Sequence, residues 1–552
     1  MLLTVDIEQK SMGNKELFHG LKLSVEAGEK VAIIGRNGVG KTTLFRMLTG
    51  EDTDFAGDVI TRQGLRMVAT RQEHHDLGDQ TVVAYVLANL PEYAHLQHVI
   101  DTYPETMGDN MRKIEQYSEA LERFTQLDYH TVEDRVRQSL TDYQLPADMP
   151  MRGLSGGQKR LVELVRIEHS SADLALIDEP TNHMDYVAKA AFIDWYKSVK
   201  YAVVAITHDR DLLQVASRII EIKDQAAYNF PGNYDDYLRQ NAARTSSDLN
   251  EYETTQRRIA NIKKQIQYAR SKKSSWTGTA DKKNPFVVME TRLLKEMAEL
   301  TALERPSFWI DQESVTDLKP TIADSYQKHK ARTIRIRHGS HAERQRELLV
   351  LENVTVGYNG RPLFEPLTKR VLTGDRTRLV GRNGVGKTTL IRAITDVANG
   401  TRPATLLHGT ITTDTKLRIN AYDQEVADTL LDMTLAGAIE HIYQLYDLQV
   451  NSERIMQLLS DYLFDPYGDR DQPVRNLSGG QKARLQLIKL FANDPNLIIL
   501  DEPTNHLDLP SIEELEAALA TYHGALLYIS HDSYVAKHLG GEEVAIVASP
   551  RQ

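Results

Sequence analysis

The chain has 552 residues, of which 41% are hydrophobic and 26% are charged, a balance that excludes a wholly disordered or fibrous protein. Its 77 acidic and 66 basic residues give a formal net charge of −11, which excludes a uniformly basic nucleic-acid binder but not a local basic patch. Cysteine is absent, so disulfides, thiolate metal sites and cysteine nucleophiles are excluded as well.

The N-terminal segment, MLLTVDIEQK, carries two acids and no long apolar stretch, so it does not resemble a secretory signal. No segment approaches the roughly 18 consecutive apolar residues that a membrane-spanning helix needs. We therefore expect a cytoplasmic protein that does not associate with membranes.

One block of motifs occurs twice along the chain, in the same order. From the second motif onward the spacing is also the same in both copies, so we interpret the two halves as copies of one domain. The repeated motifs are GRNGVGKTT at 35–43 and 381–389, LSGGQK at 154–159 and 477–482, DEPTNH at 178–183 and 501–506, and a Thr/Ser-His-Asp triplet at 207–209 and 530–532.

The first motif has the form G-x-x-x-x-G-K-[ST] and lies between an apolar strand and a helical segment in each copy. That context predicts a P-loop, in which backbone amides and a helix N-terminus hold phosphate groups. We expect Lys41 and Lys387 to reach the β- and γ-phosphates of a nucleotide. The predicted nucleotide-binding residues of the two loops are Gly35, Asn37, Gly38, Gly40, Lys41, Thr42, Thr43, Gly381, Asn383, Gly384, Gly386, Lys387, Thr388 and Thr389.

Two apolar strand-like segments, at 174–179 and 497–502, each end in an Asp-Glu pair. We expect Asp178 and Asp501 to act on Mg²⁺ together with the P-loop hydroxyls of Thr42 and Thr388. Glu179 and Glu502 then become the candidate general bases for an attacking water. The alternative is a pair of acids that merely cap each strand.

Histidine and glutamine also recur at matched positions after strands. His208 and His531 each follow an apolar strand, where a lone histidine is more often structural, but the match favours a contact with the γ-phosphate. Gln72 and Gln424 follow two further strands and are predicted to sense Mg²⁺ and the nucleophilic water.

The first copy carries about 29 extra residues within roughly 90–140. Their apolar residues recur at helical spacing, which predicts a helical hairpin that stands out from the domain. The alternative is a longer helix pair packed on the same domain.

A segment of about 105 residues separates the two copies. Its pattern predicts a long helix at 241–272 and a second at about 287–304, joined by a tip rich in Ser, Thr, Gly and Pro. The predicted organisation is therefore an α/β protein with a first P-loop domain at 1–240, a two-helix linker at 241–347 and a second P-loop domain at 348–552.

Taken together, these motifs resemble the ATP-binding cassette superfamily, for which LSGGQ is the signature. The resemblance implies two cassettes that close head to tail around two ATP molecules and part after hydrolysis, within one monomeric chain. It implies that Lys41 is paired with the signature residues Ser478, Gly480 and Gln481, and Lys387 with Ser155, Gly157 and Gln158. Adenine usually stacks on an aromatic residue before the P-loop; Tyr358 can serve in the second cassette, but the matching residue of the first is Met12.

Two cassettes in one chain with a helical linker are similar to the ABC-F family of translation factors and ribosome-protection proteins. GNYDDY at 232–237 resembles that family's sequence after the first cassette, and the extra helices resemble its arm. The resemblance implies a ribosome-binding ATPase that uses ATP and Mg²⁺. Its linker would enter the ribosomal tRNA exit site, contacting large-subunit rRNA and tRNA, either to modulate translation or to displace ribosome-targeting antibiotics.

The charge of the linker supports a polyanionic partner independently of the resemblance. Residues 257–283 contain nine Lys and Arg residues and a single acid, Asp281, in a chain that is acidic overall. The alternative is a solvated helix face. The residues predicted to contact the ribosome or tRNA are Arg270, Lys272, Lys273, Trp276, Lys282 and Lys283.

Two other functions remain open on the sequence. Paired cassettes are compatible with the ATPase component of a transporter whose membrane subunits are separate chains, although the basic linker argues against it. A chromosome or repair ATPase would usually carry a very long coiled coil or zinc-binding cysteines, and neither is present in the sequence.

Overall fold

The structure is a computed structural model, and it divides the chain into two compact units, residues 1–234 with 333–552 and residues 235–332. The first unit contains both cassettes and the second contains the linker. For part of the linker helix only the backbone is described (242, 245–257, 260, 270, 272 and 273). The described residues are 1–13, 15–70, 79–106, 108–182, 184–273, 286–293, 334, 346–423, 426–505 and 507–549.

Each cassette combines a mainly parallel sheet, flanked by helices, with a separate antiparallel sheet. The strands of the first cassette are β1 Leu3–Met12, β2 Lys15–Val25, β3 Lys30–Gly35, β4 Ala56–Thr61, β5 Met67–Ala69, β6 Leu174–Asp178, β7 Ala202–Ile206, β8 Arg218–Lys223 and β9 Ala226–Pro231. Its helices are α1 Lys41–Thr49, α2 Val82–Ala88, α3 Tyr93–Thr106, α4 Met111–Gln126, α5 Val132–Asp142, α6 Gly156–Glu168, α7 Tyr186–Ser198 and α8 Arg210–Leu213.

The linker follows as α9 Tyr234–Lys273 and a helical segment at 286–293, here α10. The strands of the second cassette are β10 Glu347–Tyr358, β11 Arg361–Pro362, β12 Leu367–Leu372, β13 Arg376–Val380, β14 Leu406–Thr413, β15 Ile419–Tyr422, β16 Leu497–Asp501, β17 Ala525–Ile529 and β18 Glu542–Ala545. Its helices are α11 Lys387–Ala398, α12 Asp428–Leu431, α13 Leu435–Gln444, α14 Ser452–Asp461, α15 Gly479–Phe491, α16 Leu509–Ala520 and α17 Ser533–Leu539.

The order of the parallel strands brings the predicted motifs to one sheet edge. In the first cassette the order is β5-β6-β7-β3-β8-β9, and in the second it is β15-β16-β17-β13-β18. Strands β6 and β7 are buried along their whole length, as expected for Val-, Ile- and Leu-rich strands covered on both faces. The P-loop lies at the carboxyl end of β3 or β13, the Asp-Glu pair at that of β6 or β16, and the histidine just after β7 or β17. Ligands bind at this edge in open α/β sheets.

The extra segment of the first cassette forms the helix pair α3 and α4. Near the cassette, the ring of Phe124 packs against Tyr93 at 5.8 Å and against Tyr129 at 5.6 Å. At the other end Lys113 donates a hydrogen bond to the Thr106 carbonyl at 3.2 Å, so the two helices run antiparallel. Phe124 belongs to the cassette core, whereas Met111 is 76% exposed. The base of the pair is therefore packed on the domain, and its far end is not.

In the linker unit, a small apolar cluster joins α9 to α10. Ile262 and Ile266 of α9 are buried against Leu293, and the ring of Tyr268 meets that of Phe286 edge-on at 6.4 Å. These contacts explain why the apolar residues of the linker recur at helical spacing. The predicted tip at 274–285, including Trp276, Lys282 and Lys283, lies outside the described residues, as do the side chains of Arg270, Lys272 and Lys273.

The α/β fold class, with two cassettes separated by a helical linker, is confirmed. Among the residues described, every helix is too short or too polar to span a membrane.

Candidate nucleotide-binding and hydrolysis sites

The two predicted P-loops have the same backbone geometry. Gly40 and Gly386, the residues before α1 and α11, lie in the left-handed region with φ of 103° and 105°. A Cβ atom on Gly40 would also come within 2.7 Å of the Phe18 ring. Both the backbone conformation and this close approach therefore disfavour a larger residue at position 40. No described side chain caps either helix, which leaves the first N–H groups directed at the loop.

The P-loop lysines lie inside these loops. The ammonium of Lys41 donates to the carbonyl of Gly35 at 2.6 Å, and that of Lys387 donates to the carbonyl of Gly381 at 2.6 Å. Both side chains are buried, and burial lowers the pKa of each, although neighbouring carboxylates oppose this shift. In the part of the chain that the structure describes, the hydrogen-bond acceptors of both ammoniums are uncharged carbonyls, and a buried cation in that position suits an anionic ligand.

Oxygen donors at the first site fit a magnesium ion. The hydroxyl of Thr42 donates to Oδ2 of Asp178 at 3.1 Å, so the two predicted metal-binding side chains are adjacent. A hydroxyl and a carboxylate are hard oxygen ligands, and Mg²⁺ commonly takes one or two such ligands and completes its shell with water and phosphate. In the second site, Asp501 acts electrostatically on Lys387 from the end of β16.

The two candidate general bases occupy an unusual backbone conformation. Glu179 and Glu502 have φ of 45° and 47°, which is uncommon for a residue other than glycine. Each is held by its backbone N–H, which donates to a carbonyl on the neighbouring strand. The N–H of Glu179 donates to the carbonyl of Ile206 at 2.9 Å, and that of Glu502 to the carbonyl of Ile529 at 3.0 Å. Burial raises the pKa of Glu179 to about 8 and that of Glu502 to about 7. A carboxylate with a pKa near neutrality is suited to proton transfer.

Each predicted histidine lies beside the glutamate of its own cassette. Nε2 of His208 is 3.5 Å from Oε1 of Glu179, and Nε2 of His531 is 3.2 Å from Oε1 of Glu502. Burial lowers the pKa of His208 to about 3 and that of His531 to about 4, so both rings are neutral. Among the described residues, neither ring nitrogen of His208 makes a hydrogen bond, although the side chain is buried. Such a ring fits a ligand oxygen.

The signature motifs begin helices α6 and α15 with capping boxes. Ser155 Oγ accepts from the N–H of Gln158, whose side chain accepts in return from the N–H of Ser155 at 3.0 Å. Ser478 and Gln481 form the same box in the second cassette. The side-chain oxygens of both glutamines are thus used within the turn, whereas each serine hydroxyl still has its proton to donate.

Each P-loop is bonded to the opposite cassette by one aspartate. The N–H of Asn37 donates to Oδ2 of Asp508 at 3.0 Å, and the N–H of Asn383 donates to Oδ2 of Asp185 at 3.2 Å. The signature follows the same pairing, because a Cβ atom on Gly479 would lie 3.1 Å from Cβ of Asn37. The first P-loop therefore faces the second cassette's signature, and each P-loop is bonded to an aspartate of the other cassette.

Asp185 and Asp508 are additional site residues beyond those predicted from the motifs, although the sequence contains a signal for them. Both follow the repeated DEPTNH motif after one further residue, so the repeat extends to them. A buried ion pair also crosses the cassette boundary: the guanidinium of Arg210 binds both carboxylate oxygens of Glu516, at 3.0 and 3.2 Å.

A single cavity of about 740 Å³ reaches both sites. Glu179 and His208 line it from the first cassette, and Glu502 and His531 from the second. The cavity also includes Ser155 of the first signature and Asn383 of the second P-loop. Gln72 and Gln424 lie outside the described residues.

The edges of the two sites differ at the predicted adenine position. Tyr358 ends β10, is 54% exposed, and its hydroxyl lies 3.4 Å from Oγ1 of Thr389 in the P-loop helix. Met12 ends β1 in the first cassette and is 56% exposed. A flat aromatic face is therefore offered at one site and a flexible thioether at the other.

Comparisons with known proteins agree with this geometry. A protein-family model described as ABC transporter matches residues 18–182 and 364–505, and a second with the same description matches 220–303. The ATP-binding protein YdiF of Bacillus subtilis is 28% identical over 547 residues, covering 97% of this chain and 78% of its own length. The ATP-binding protein Uup of Escherichia coli K12 is 28% identical over 535 residues, with 95% and 76% covered.

Solved structures of similar fold include an archaeal ribosome recycling factor, aABCE1, in complex with the ribosomal stalk protein aP1. It covers 98% of this chain and 87% of its own, with a TM-score of 0.54 and 16% identity. The chain belongs to the ABC transporter family of ATP-binding proteins. Its tandem cassettes and intervening linker are of the ABC-F type, like Uup and YdiF, which confirms the family predicted from the motifs.

Proposed function

We propose that the protein is a Mg²⁺-dependent ATPase whose two cassettes close on two ATP molecules. The observation that carries this proposal is the pair of hydrogen bonds from Asn37 to Asp508 and from Asn383 to Asp185. Because each P-loop is completed by the opposite cassette, binding and hydrolysis of ATP are coupled to the opening and closing of the chain.

The proposed roles follow from the position of each group. Lys41 and Lys387 bind phosphate, and the helix N-termini behind them and at the signatures add positive potential. Glu179 and Glu502 accept a proton from the attacking water, and His208 and His531 orient the phosphate. Thr42 with Asp178 and Thr388 with Asp501 hold Mg²⁺, which when bound neutralises phosphate charge.

The adenine positions give one prediction. Tyr358→Ala should weaken ATP binding to the second cassette by roughly 5- to 100-fold, because base–aromatic stacking contributes about 1–3 kcal/mol. Met12→Tyr should tighten binding to the first. Titration with a fluorescent ATP analogue measures the affinity of one site in a chain whose other site is disabled by changing its P-loop lysine, Lys41 or Lys387, to alanine. Tyr467→Ala, which removes another exposed tyrosine of the second cassette, is the control. Equal losses for Tyr358→Ala and Tyr467→Ala would remove Tyr358 from the site.

We further propose that the ATP-bound protein binds ribosomes in the cytoplasm and that its linker enters the tRNA exit site. The nine basic residues within 257–283 support a nucleic-acid partner, and the described Lys263 and Lys264 are exposed on α9. A structurally similar protein is named as an archaeal ribosome recycling factor, which also supports a ribosomal partner. Displacement of a ribosome-targeting antibiotic and general control of translation are two outputs of this same binding.

Cosedimentation tests this second proposal. With ATP, the wild-type chain should pellet with ribosomes at low salt, and binding should fall steeply as salt increases, because phosphate contacts release counterions. Lys263→Gln with Lys264→Gln should weaken binding and reduce the logarithmic salt slope by about 1 for each phosphate that the variant no longer neutralises.

The matched control is Lys197→Gln with Lys200→Gln, which removes two exposed lysines from the first cassette and should leave the slope unchanged. Equal effects of both pairs would contradict a linker-specific contact. Cosedimentation with membranes instead of ribosomes would favour the transporter alternative.

A further inference from the structure

The loops that follow the two histidines meet across the cassette boundary. The hydroxyl of Ser533, two residues after His531, donates to Oδ1 of Asp211 at 2.5 Å. Asp211 lies in the first cassette, three residues after His208. This contact joins the catalytic loop of one cassette to that of the other.

Lys189 lies at the centre of the same contact. Its side chain is only 9% exposed, and its ammonium is 2.9 Å from Oδ1 of Asp209 and 2.6 Å from Oδ2 of Asp211. It also donates a long hydrogen bond, 3.4 Å, to the carbonyl of His531 in the second cassette. Burial opposes its charge, but Asp209, Asp211 and Asp532 outweigh burial and raise the pKa of Lys189, so the amine stays protonated.

The carbonyl that Lys189 contacts belongs to the residue that holds the second general base. The N–H of His531 donates to Oε2 of Glu502 at 3.2 Å, and Nε2 of its ring lies 3.2 Å from Oε1 of the same carboxylate. Bonds to the N–H and to the carbonyl restrain the peptide groups on both sides of the His531 Cα. Lys189 is therefore connected to Glu502 by hydrogen bonds through one residue, His531.

At the other site an apolar residue stands at the position of Lys189. Lys189 comes four residues after Asp185, and the residue four positions after Asp508 is Ile512. Isoleucine has no group that can bond the carbonyl of His208. Tyr534 and Arg210 stand where Asp211 and Ser533 stand in the opposite copy, and Tyr534 instead accepts a hydrogen bond from the side chain of Gln214 at 2.9 Å.

We infer that Lys189 is a positioning residue that the first cassette supplies to the hydrolysis site of the second. Hydrolysis at Glu502 then depends on the loop after His208, whereas hydrolysis at Glu179 receives no such group from the second cassette. This inference rests on the proposed ATPase function.

The test measures each site separately. Glu179→Gln leaves hydrolysis to Glu502, and Glu502→Gln leaves it to Glu179. Adding Lys189→Ile, which copies Ile512, should lower kcat at least tenfold in the Glu179→Gln chain with KM for ATP changed less than twofold. In the Glu502→Gln chain the same change should lower kcat less than threefold. Lys189→Arg should restore most of the rate, because it keeps a buried cation. An equal loss at both sites, or no loss at Glu502, would overturn the inference.

A second measurement does not depend on turnover. Amide hydrogen exchange of residues 530–535, followed in the full chain with a non-hydrolysable ATP analogue, should become at least tenfold faster with Lys189→Ile and stay unchanged with Lys189→Arg. Unchanged exchange in both variants would also overturn it. Absence of hydrolysis in the wild-type chain would instead contradict the proposed ATPase function, and the exchange result would still decide whether Lys189 holds this loop.

Discussion

Replacing Glu179 and Glu502 together by glutamine should lower ATP hydrolysis by roughly 10²- to 10⁴-fold, the usual contribution of a positioned general base. Glutamine keeps the size of the side chain but cannot accept the proton. Both carboxylates lie at the ends of buried strands and face the cavity shared by the two sites, so the loss should be in kcat. ATP binding should persist, because the P-loops are unchanged.

The expected consequence is a chain held in its closed state. Phosphate release measures the loss of hydrolysis, and cosedimentation at fixed ATP should show the double variant retained on ribosomes longer than the wild type. Glu8→Gln with Glu352→Gln, two exposed glutamates of β1 and β10, is the matched control and should behave as the wild type. Hydrolysis that survives the double change within threefold would remove both glutamates from the mechanism. If the double variant lost hydrolysis but was not retained on ribosomes, the proposed ATPase function would stand and the proposed ribosome binding would be contradicted.

Changing Asp185 and Asp508 to asparagine should raise the ATP concentration needed for half-maximal hydrolysis by about 100-fold or more. One carboxylate oxygen of each aspartate caps its own helix, through Ala188 or Ser511, and the other accepts from the opposite P-loop. Asparagine preserves the cap with its carbonyl oxygen but turns an NH₂ group toward the P-loop N–H. A hydrogen bond to a charged group contributes about 1.5–3 kcal/mol, so the absence of two such bonds accounts for the shift.

Asparagine and alanine variants separate the two roles of these aspartates. With asparagine the thermal unfolding midpoint should change little, because asparagine and aspartate are equally good caps. With alanine the cap is removed too, and each helix should be destabilised by a further 0.5–2 kcal/mol, roughly. If the asparagine variants hydrolysed ATP at wild-type concentrations, closure would not depend on these bonds.

Much of the architecture was predictable because its signals are local. The P-loop is encoded by a few glycines that must adopt positive φ and by the apolar strand before them, so Gly40 and Gly386 indicate the turn without any tertiary information. The period of apolar residues in α9 predicted a helix, and Ile262 and Ile266 are buried on one face of it. Repetition of the motifs in the same order indicated two copies of one domain.

Other features could not be predicted because they depend on residues far apart in the chain. The bond from Asn37 to Asp508 joins residues 471 positions apart, and no short-range preference specifies it. The depth to which α3 and α4 pack on the first cassette follows from Phe124 entering the core, whereas the sequence pattern fitted both a projecting and a packed pair.

The sequence by itself determined which chemical groups are present twice: two P-loops, two Asp-Glu pairs and two signatures. Those groups are specified by residues close together along the chain, where backbone preference and hydrophobic period act directly. Only the tertiary structure decided which contacts cross the cassette boundary, because Lys189 meets the carbonyl of His531 and Arg210 meets Glu516 only where one cassette packs against the other.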